Sequence, residues 1–94
     1  MYARVTNFQC DPARLDEMDS IREDIRGHLG GIDGLMSVNA AWNDDGTGTV
    51  MAIYESAEAA QAAADSIAEL WGKMATVMTA APEAVGDVHV DNMR

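Results

Sequence analysis

Residues 48–81, GTVMAIYESAEAAQAAADSIAELWGKMATVMTAA, decide the fold. Their first eight, Gly48 to Glu55, are β-branched and apolar with almost nothing polar among them, which is the composition of a strand. Ser56 ends that strand and offers its hydroxyl as a helix N-cap. Behind it Ala60, Ala63, Ile67, Leu70, Met74 and Val77 recur three or four apart, so they share one face of a helix. The helix is expected to run to Ala80-Ala81 before Pro82, with a bend at Gly72 beside Trp71. A stripe of this kind needs a sheet to lie on.

Working outward, Asn43-Asp44-Asp45-Gly46-Thr47-Gly48 reads as a hairpin connection. The strand before it, Leu35 to Asn43, puts Met36, Val38, Ala40 and Trp42 on one face and polar residues on the other, as an edge strand does. Further back, Asp11-Pro12 opens a helix, with Asp as N-cap and Pro at the first position. Its apolar stripe is Leu15, Met18, Ile21, Ile25 and Leu29, and Arg14, Asp16, Asp19, Arg22, Glu23 and Arg26 are assigned to the solvent side. Gly30-Gly31 suits a left-handed stop. Tyr2 to Gln9 is a strand with apolar groups on both faces, as is the strand from Gly48, so both belong in the middle of a sheet. Gly86 to Val90 closes the chain as a second edge strand, with Val88 and Val90 turned inward and Asp87 and His89 outward.

The order is β-α-β-β-α-β, an α+β ferredoxin-like arrangement occupying residues 1–94 as one domain, with a four-stranded antiparallel sheet in the order 4-1-3-2. Right-handed crossovers put both helices on one face. The other face keeps the apolar residues of the two central strands, and nothing in the chain remains to cover them. A second copy packed sheet to sheet is the simplest cover, so a homodimer is expected.

Sixteen carboxylates against six Lys and Arg leave a formal charge of −10. No basic patch exists to displace counterions, which argues against nucleic acid or an anionic membrane surface as partner. A single cysteine, Cys10, suits a reducing, cytoplasmic setting. The N-terminal residues lack a signal-peptide core, and no stretch approaches the ~18 apolar residues of a membrane span. His28 and His89 form no HxH or HExxH pattern, so no metal site is expected. Asp44-Asp45-Gly46 lacks the spacing and closing Glu of a calcium loop. Gly46-Thr47-Gly48 precedes a strand rather than a phosphate-cradling helix.

Three segments, GIDGLMSV (31–38), IYESAEAA (53–60) and PEAVGDVHV (82–90), resemble the dimeric α/β-barrel superfamily, and within it the antibiotic-biosynthesis-monooxygenase-like (ABM-like) proteins. The resemblance implies two subunits joined sheet to sheet as an α/β barrel, with ligands held between the sheet and the helices of each. It also implies a spread of activities, including cofactor-free monooxygenases, isomerases and haem-degrading enzymes. The quinone-forming monooxygenases orient a polyphenol with Asn, Trp, Tyr and Arg side chains, and this chain holds Asn7, Trp42, Trp71, Tyr54 and Arg4. The haem-degrading branch needs an Asn on the first strand and a Trp and a His on the second helical segment. Asn7 matches the first, but the Trp position falls near Ala63 and no His lies around Trp71 to Met74. A cofactor is therefore not expected.

The candidate catalytic residues are Asn7, which would orient a ligand, and His89, a general base near neutral pH. Each has a plain alternative: a buried amide satisfying its neighbours, and a solvated side chain between Asp87 and Asp91. Arg4 on a central strand needs a partner, either a carboxylate across the dimer or an anionic ligand. Trp42, Tyr54, Trp71 and Met74 are the remaining ligand-binding candidates, with Met18 and Met78 alternatively plain core. Cys10 has no base near it in sequence and reads as an inert thiol. Two functions compete: a homodimeric cofactor-free monooxygenase or isomerase acting on a small aromatic or hydrophobic metabolite, and a non-catalytic ligand-binding or interaction module of the same fold. A cavity of ~300 Å³ or more with a polar group pointing in separates the first from the second.

Overall fold

The computed structural model describes residues 1–90. The chain forms β1 (Tyr2–Gln9), a 3-10 turn (Pro12–Arg14), α1 (Leu15–Leu29), β2 (Leu35–Trp42), β3 (Thr47–Tyr54), α2 (Ala57–Ala62), α3 (Ala64–Met74), a second 3-10 turn (Ala75–Val77) and β4 (Glu83–His89). The sheet order is β2-β3-β1-β4 with every pair antiparallel, which is the expected 4-1-3-2. No helix among the described residues is long and apolar enough to cross a membrane.

Local chemistry accounts for most boundaries. Asp11 accepts a hydrogen bond from the Ala13 N–H at 2.9 Å, although the turn it caps is a 3-10 turn that precedes α1. Ser56 accepts from the Ala59 N–H at 3.2 Å and starts α2. The Ala60–Val77 stripe is buried or half-buried throughout. The helix is interrupted at Ala63, not at Gly72. Ala60 and Ala63 press into the cluster around Tyr54, and Met74 and Val77 beyond the break join the one around Phe8. Helical structure also stops at Val77, short of Ala81. The Val77 carbonyl accepts from the Asp11 N–H at 2.8 Å, and the Thr79 N–H donates to Gln9 at 3.0 Å, so this backbone is drawn into pairing with the end of β1.

Three expectations are corrected. Gly30 is right-handed at φ −64°; the left-handed residue is Gly34, at φ +78°, where a Cβ would also sit 2.6 Å from the Ala59 Cβ. In β2, Leu35 stands opposite Tyr54 and Ser37 opposite Ile53, so Met36 occupies a bulge and is 54% exposed instead of sharing the Val38 face. In β4, a bulge leaves Val85 unpaired and 60% exposed. Beyond it Asp87 pairs with Arg4 and His89 with Tyr2, which puts both on the helix-bearing face, while Val88 pairs with Ala3 on the open one. The inward and outward assignments for that strand are thus reversed.

Most buried residues gather in two clusters on the helix-bearing face, while Ala3 is buried on the open face. One holds Phe8, Cys10, Met18, Met74 and Val77, and the other Ala52, Tyr54, Ala60 and Ala63.

Candidate functional site

Between the sheet and the helices lies a cavity of about 350 Å³, lined by residues of both clusters. Its floor is the strand face carrying Arg4, Thr6, Phe8, Val50, Ala52 and Tyr54. Its roof comes from α1 through Met18, Ile25 and Leu29 and from α3 through Ile67, Leu70, Trp71 and Met74. The opening has a physical cause. Ala59, Ala60 and Ala63 let α2 sit close to the sheet beside Tyr54, whereas the bulkier Met18, Ile25, Leu70 and Trp71 hold α1 and α3 away from it. Gly48 opens the floor at the other end, where a Cβ would lie 2.4 Å from Phe8 Cζ. That absence lets the Phe8 ring lie across β3 and meet Trp71 at 6.1 Å between ring centroids.

Two buried polar atoms of residues that line this apolar space have no hydrogen-bond partner among the described residues: the Tyr54 hydroxyl and Arg22 Nε. Tyr54 is 0% exposed, and an unpaired buried hydroxyl costs about 1–3 kcal/mol. Burial pushes its phenol upward despite the nearby Arg4 charge, so it is a protonated donor at neutral pH. The Arg22 guanidinium lies over the Trp42 ring, 4.6 Å from its centroid. Its Nη2 donates to Asp19 at 2.8 Å on the outer side.

Of the ligand-binding candidates, Arg4, Trp42, Tyr54, Trp71 and Met74 all line the cavity. Arg4, however, already has its partner within the chain. Its Nε donates to Asp87 Oδ1 at 2.9 Å and its Nη2 to Oδ2 at 3.2 Å, a two-pronged pair that replaces the expected carboxylate across the dimer. The Tyr2 hydroxyl donates to the same carboxylate at 3.1 Å. The Arg4 hydrogen bond, ahead of the Tyr2 one, holds Asp87 below the usual carboxylate range.

The two catalytic candidates lie elsewhere. Asn7 points to the open face of the sheet, where its Oδ1 accepts from the Thr49 hydroxyl at 2.8 Å. Alternation along β1 requires this, because Thr6 and Phe8 face the helices. His89 stands at the sheet edge, edge-on to Tyr2 at 6.1 Å, outside the cavity lining. Its flanking residue Asp91 lies outside the described residues. Met78 packs beside the Phe8 cluster, and Cys10 is buried, which pushes its thiol up and away from reactivity. No group of three or more His, Cys, Asp or Glu that could hold a metal ion occurs among the described residues.

Arg22 is a charged lining residue that reading the sequence missed. The signal was present: Arg22 is four residues after Met18 and three before Ile25, so it rides on the border of the apolar stripe. Charge alone argues for solvent, which holds for Arg26, also on the lining but exposed, and not for the half-buried Arg22.

This architecture recurs in solved structures. A Caulobacter crescentus protein provisionally assigned as an antibiotic biosynthesis monooxygenase superposes with a TM-score of 0.77 at 17% identity, over 97% of this chain and 90% of the other. SnoaB, a cofactor-independent oxygenase from Streptomyces nogalater solved as the N63A mutant, gives 0.73 at 14% identity, over 98% and 94%. The fold is ABM-like. A Bordetella bronchiseptica protein with the same provisional assignment gives 0.76 at 11% identity, over 97% of both chains. No family model and no curated protein matches the sequence. The ABM-like likeness therefore speaks for the architecture, and the chemistry must be argued from the cavity.

Proposed function

We propose that the cleft between sheet and helices holds a small aromatic or hydrophobic metabolite, and that the protein acts on it as a cofactor-free monooxygenase. One observation carries this reading: an apolar cavity of about 350 Å³ walled by Phe8, Trp42, Trp71, Met74 and Tyr54, whose buried hydroxyl has no partner among the described residues. The polar group that meets the cavity criterion is Tyr54, not Asn7. The ABM-like fold that the chain shares with SnoaB, a cofactor-independent oxygenase, supports the choice of reaction. In such chemistry the substrate supplies the electrons to oxygen, and the protein contributes orientation and exclusion of water. Trp71 and Phe8 would hold the ring face, and the Tyr54 hydroxyl would donate to a substrate oxygen. Isomerisation needs the same orientation and is the variant to assay beside it. The runner-up is a binding module of the same fold without turnover, which the same cavity serves equally well.

Oxygen consumption with a panel of hydroquinones, measured with and without protein, tests the proposal. Protein-dependent uptake that falls in Tyr54→Phe is the expected result. Binding without uptake would leave the module.

The working unit we propose is a homodimer joined through the open sheet face, closing an α/β barrel in the cytoplasm. Val5, Met51 and Ile53 stay part-exposed on that face, and Val88 is exposed beside them. Sedimentation at micromolar concentration should give twice the chain mass, and a monomer would overturn the assembly.

A further inference from the structure

We infer that the cleft takes its aromatic ligand as an anion, with the acidic group bound at Arg22 and a second oxygen at the Tyr54 hydroxyl. This rests on the cleft being a ligand site, as proposed above, and adds the charge of what enters it.

Charge is distributed in a telling way. The chain has sixteen Asp and Glu and six Lys and Arg, yet the cavity lining contains three arginines (Arg4, Arg22 and Arg26) and no carboxylate. An acidic protein thus lines its cleft with the cationic halves of three ion pairs whose carboxylates lie outside the lining. The three arginines are not equivalent. Arg4 is closed off by its two-pronged bond to Asp87, and Arg26 pairs with Glu23 at 3.2 Å on an exposed part of α1. Arg22 also meets its exposed partner Asp19 through one nitrogen, but its own side chain is 31% exposed against 69% for Arg26. The Nε edge is buried without an acceptor.

A guanidinium with one N–H desolvated and unmet is a site for an anionic oxygen, since charge-assisted bonds of this type are about twice as strong as neutral ones. Stacking on Trp42 holds the guanidinium plane and limits the rotamers lost on binding. The Tyr54 hydroxyl is the second unmet donor. An apolar ring system with a carboxylate or phenolate and a further oxygen satisfies both and fills the space between them. A neutral hydrocarbon would satisfy neither.

Calorimetric titration of the unmodified protein with 2-naphthoate and with 2-naphthalenemethanol tests this at pH 7, since the two share a ring and differ in charge. The carboxylate is expected to bind at least about tenfold tighter, a preference of roughly 1.4 kcal/mol. Arg22→Gln should abolish the preference while leaving the alcohol's affinity within about twofold, and Tyr54→Phe should weaken the alcohol, whose single oxygen is left to the Tyr54 hydroxyl. Equal affinities in the unmodified protein, or a preference that survives Arg22→Gln, would overturn the anion assignment and leave the cleft standing as a site. Failure of both ligands to bind would remove the cleft reading and this inference with it.

Discussion

On the helix-bearing face of the sheet, Thr6, Ala52 and Tyr54 are buried, while one residue along in the same strands Val5, Met51 and Ile53 stay part-exposed on the other face. The strand composition is apolar on both sides, so composition does not separate them. What differs is the cover. One face has helices of uneven side-chain length standing over it, which bury the ends and leave a cavity in the middle. The other has no helix over it among the described residues, and its surface grades from apolar at Val5 and Ile53 to polar at Asn7 and Thr49. Under the proposed function, the hole in the covered face takes a ligand and the uncovered face takes a second copy.

Mutations separate the two most sharply through what they damage. Leu70→Ala, in the buried stripe, should cost about 2–5 kcal/mol in urea denaturation by leaving a cavity under α3. Ile53→Asp, on the open face, should leave the subunit folded and raise the dimer dissociation constant by at least about a hundredfold, or roughly 2.7 kcal/mol, read by sedimentation. An Ile53→Asp protein that stays dimeric would break the comparison, because the open face would then not be the contact. Next in size is Gly48→Ala. The added methyl meets Phe8 Cζ at 2.4 Å and the Ala41 carbonyl at 2.5 Å, and the backbone oxygen cannot step aside. A loss of about 1–3 kcal/mol is expected, with the Phe8 ring pushed into the cavity and ligand affinity falling alongside stability.

The architecture was legible because its signals are periodic. Tyr2–Gln9 matched its strand to the residue, and the Ala60–Val77 stripe is on the sheet. What failed was local and non-periodic. The bulges at Met36 and Val85 arise from how neighbouring strands register, which one strand's sequence does not encode. The second shifted Asp87 onto the Arg4 face and so hid an ion pair 83 residues apart in sequence. The cavity was legible in residue type through Arg4, Trp42, Tyr54, Trp71 and Met74, but not all of its polar groups were. Asn7 was selected for its chemistry while the alternation of β1 turned it the other way, and Arg22 was passed over because charge was read before helical position.

The smaller predictions sharpen the same contrast. Tyr54→Phe removes a buried hydroxyl that has no partner, so it should leave stability unchanged or raise it by about 1 kcal/mol in the absence of ligand. A hydroxyl serving the fold would behave oppositely, and a loss above 1 kcal/mol would show that Tyr54 is structural rather than waiting for a ligand. This single substitution distinguishes a site from a packing fault.

Asp87→Asn is the mildest change, and pH identifies its origin. The pair with Arg4 is about one-third exposed, so solvent screening limits its worth to about 0.5–1 kcal/mol. The folded Asp87 carboxyl lies below its ordinary value because Arg4 donates to its charged form. Its contribution is therefore fully present above the unfolded value of about 3.9 and is lost as pH falls through the lower folded value. The stability gap between the unmodified protein and Asp87→Asn should be constant from pH 7 to about 5 and close under stronger acid, measured by urea titration at each pH. A gap that persists at the acid end would mean that the asparagine perturbs β4 itself, so that the edge strand, rather than its charge, ties Arg4 to the rim of the cavity.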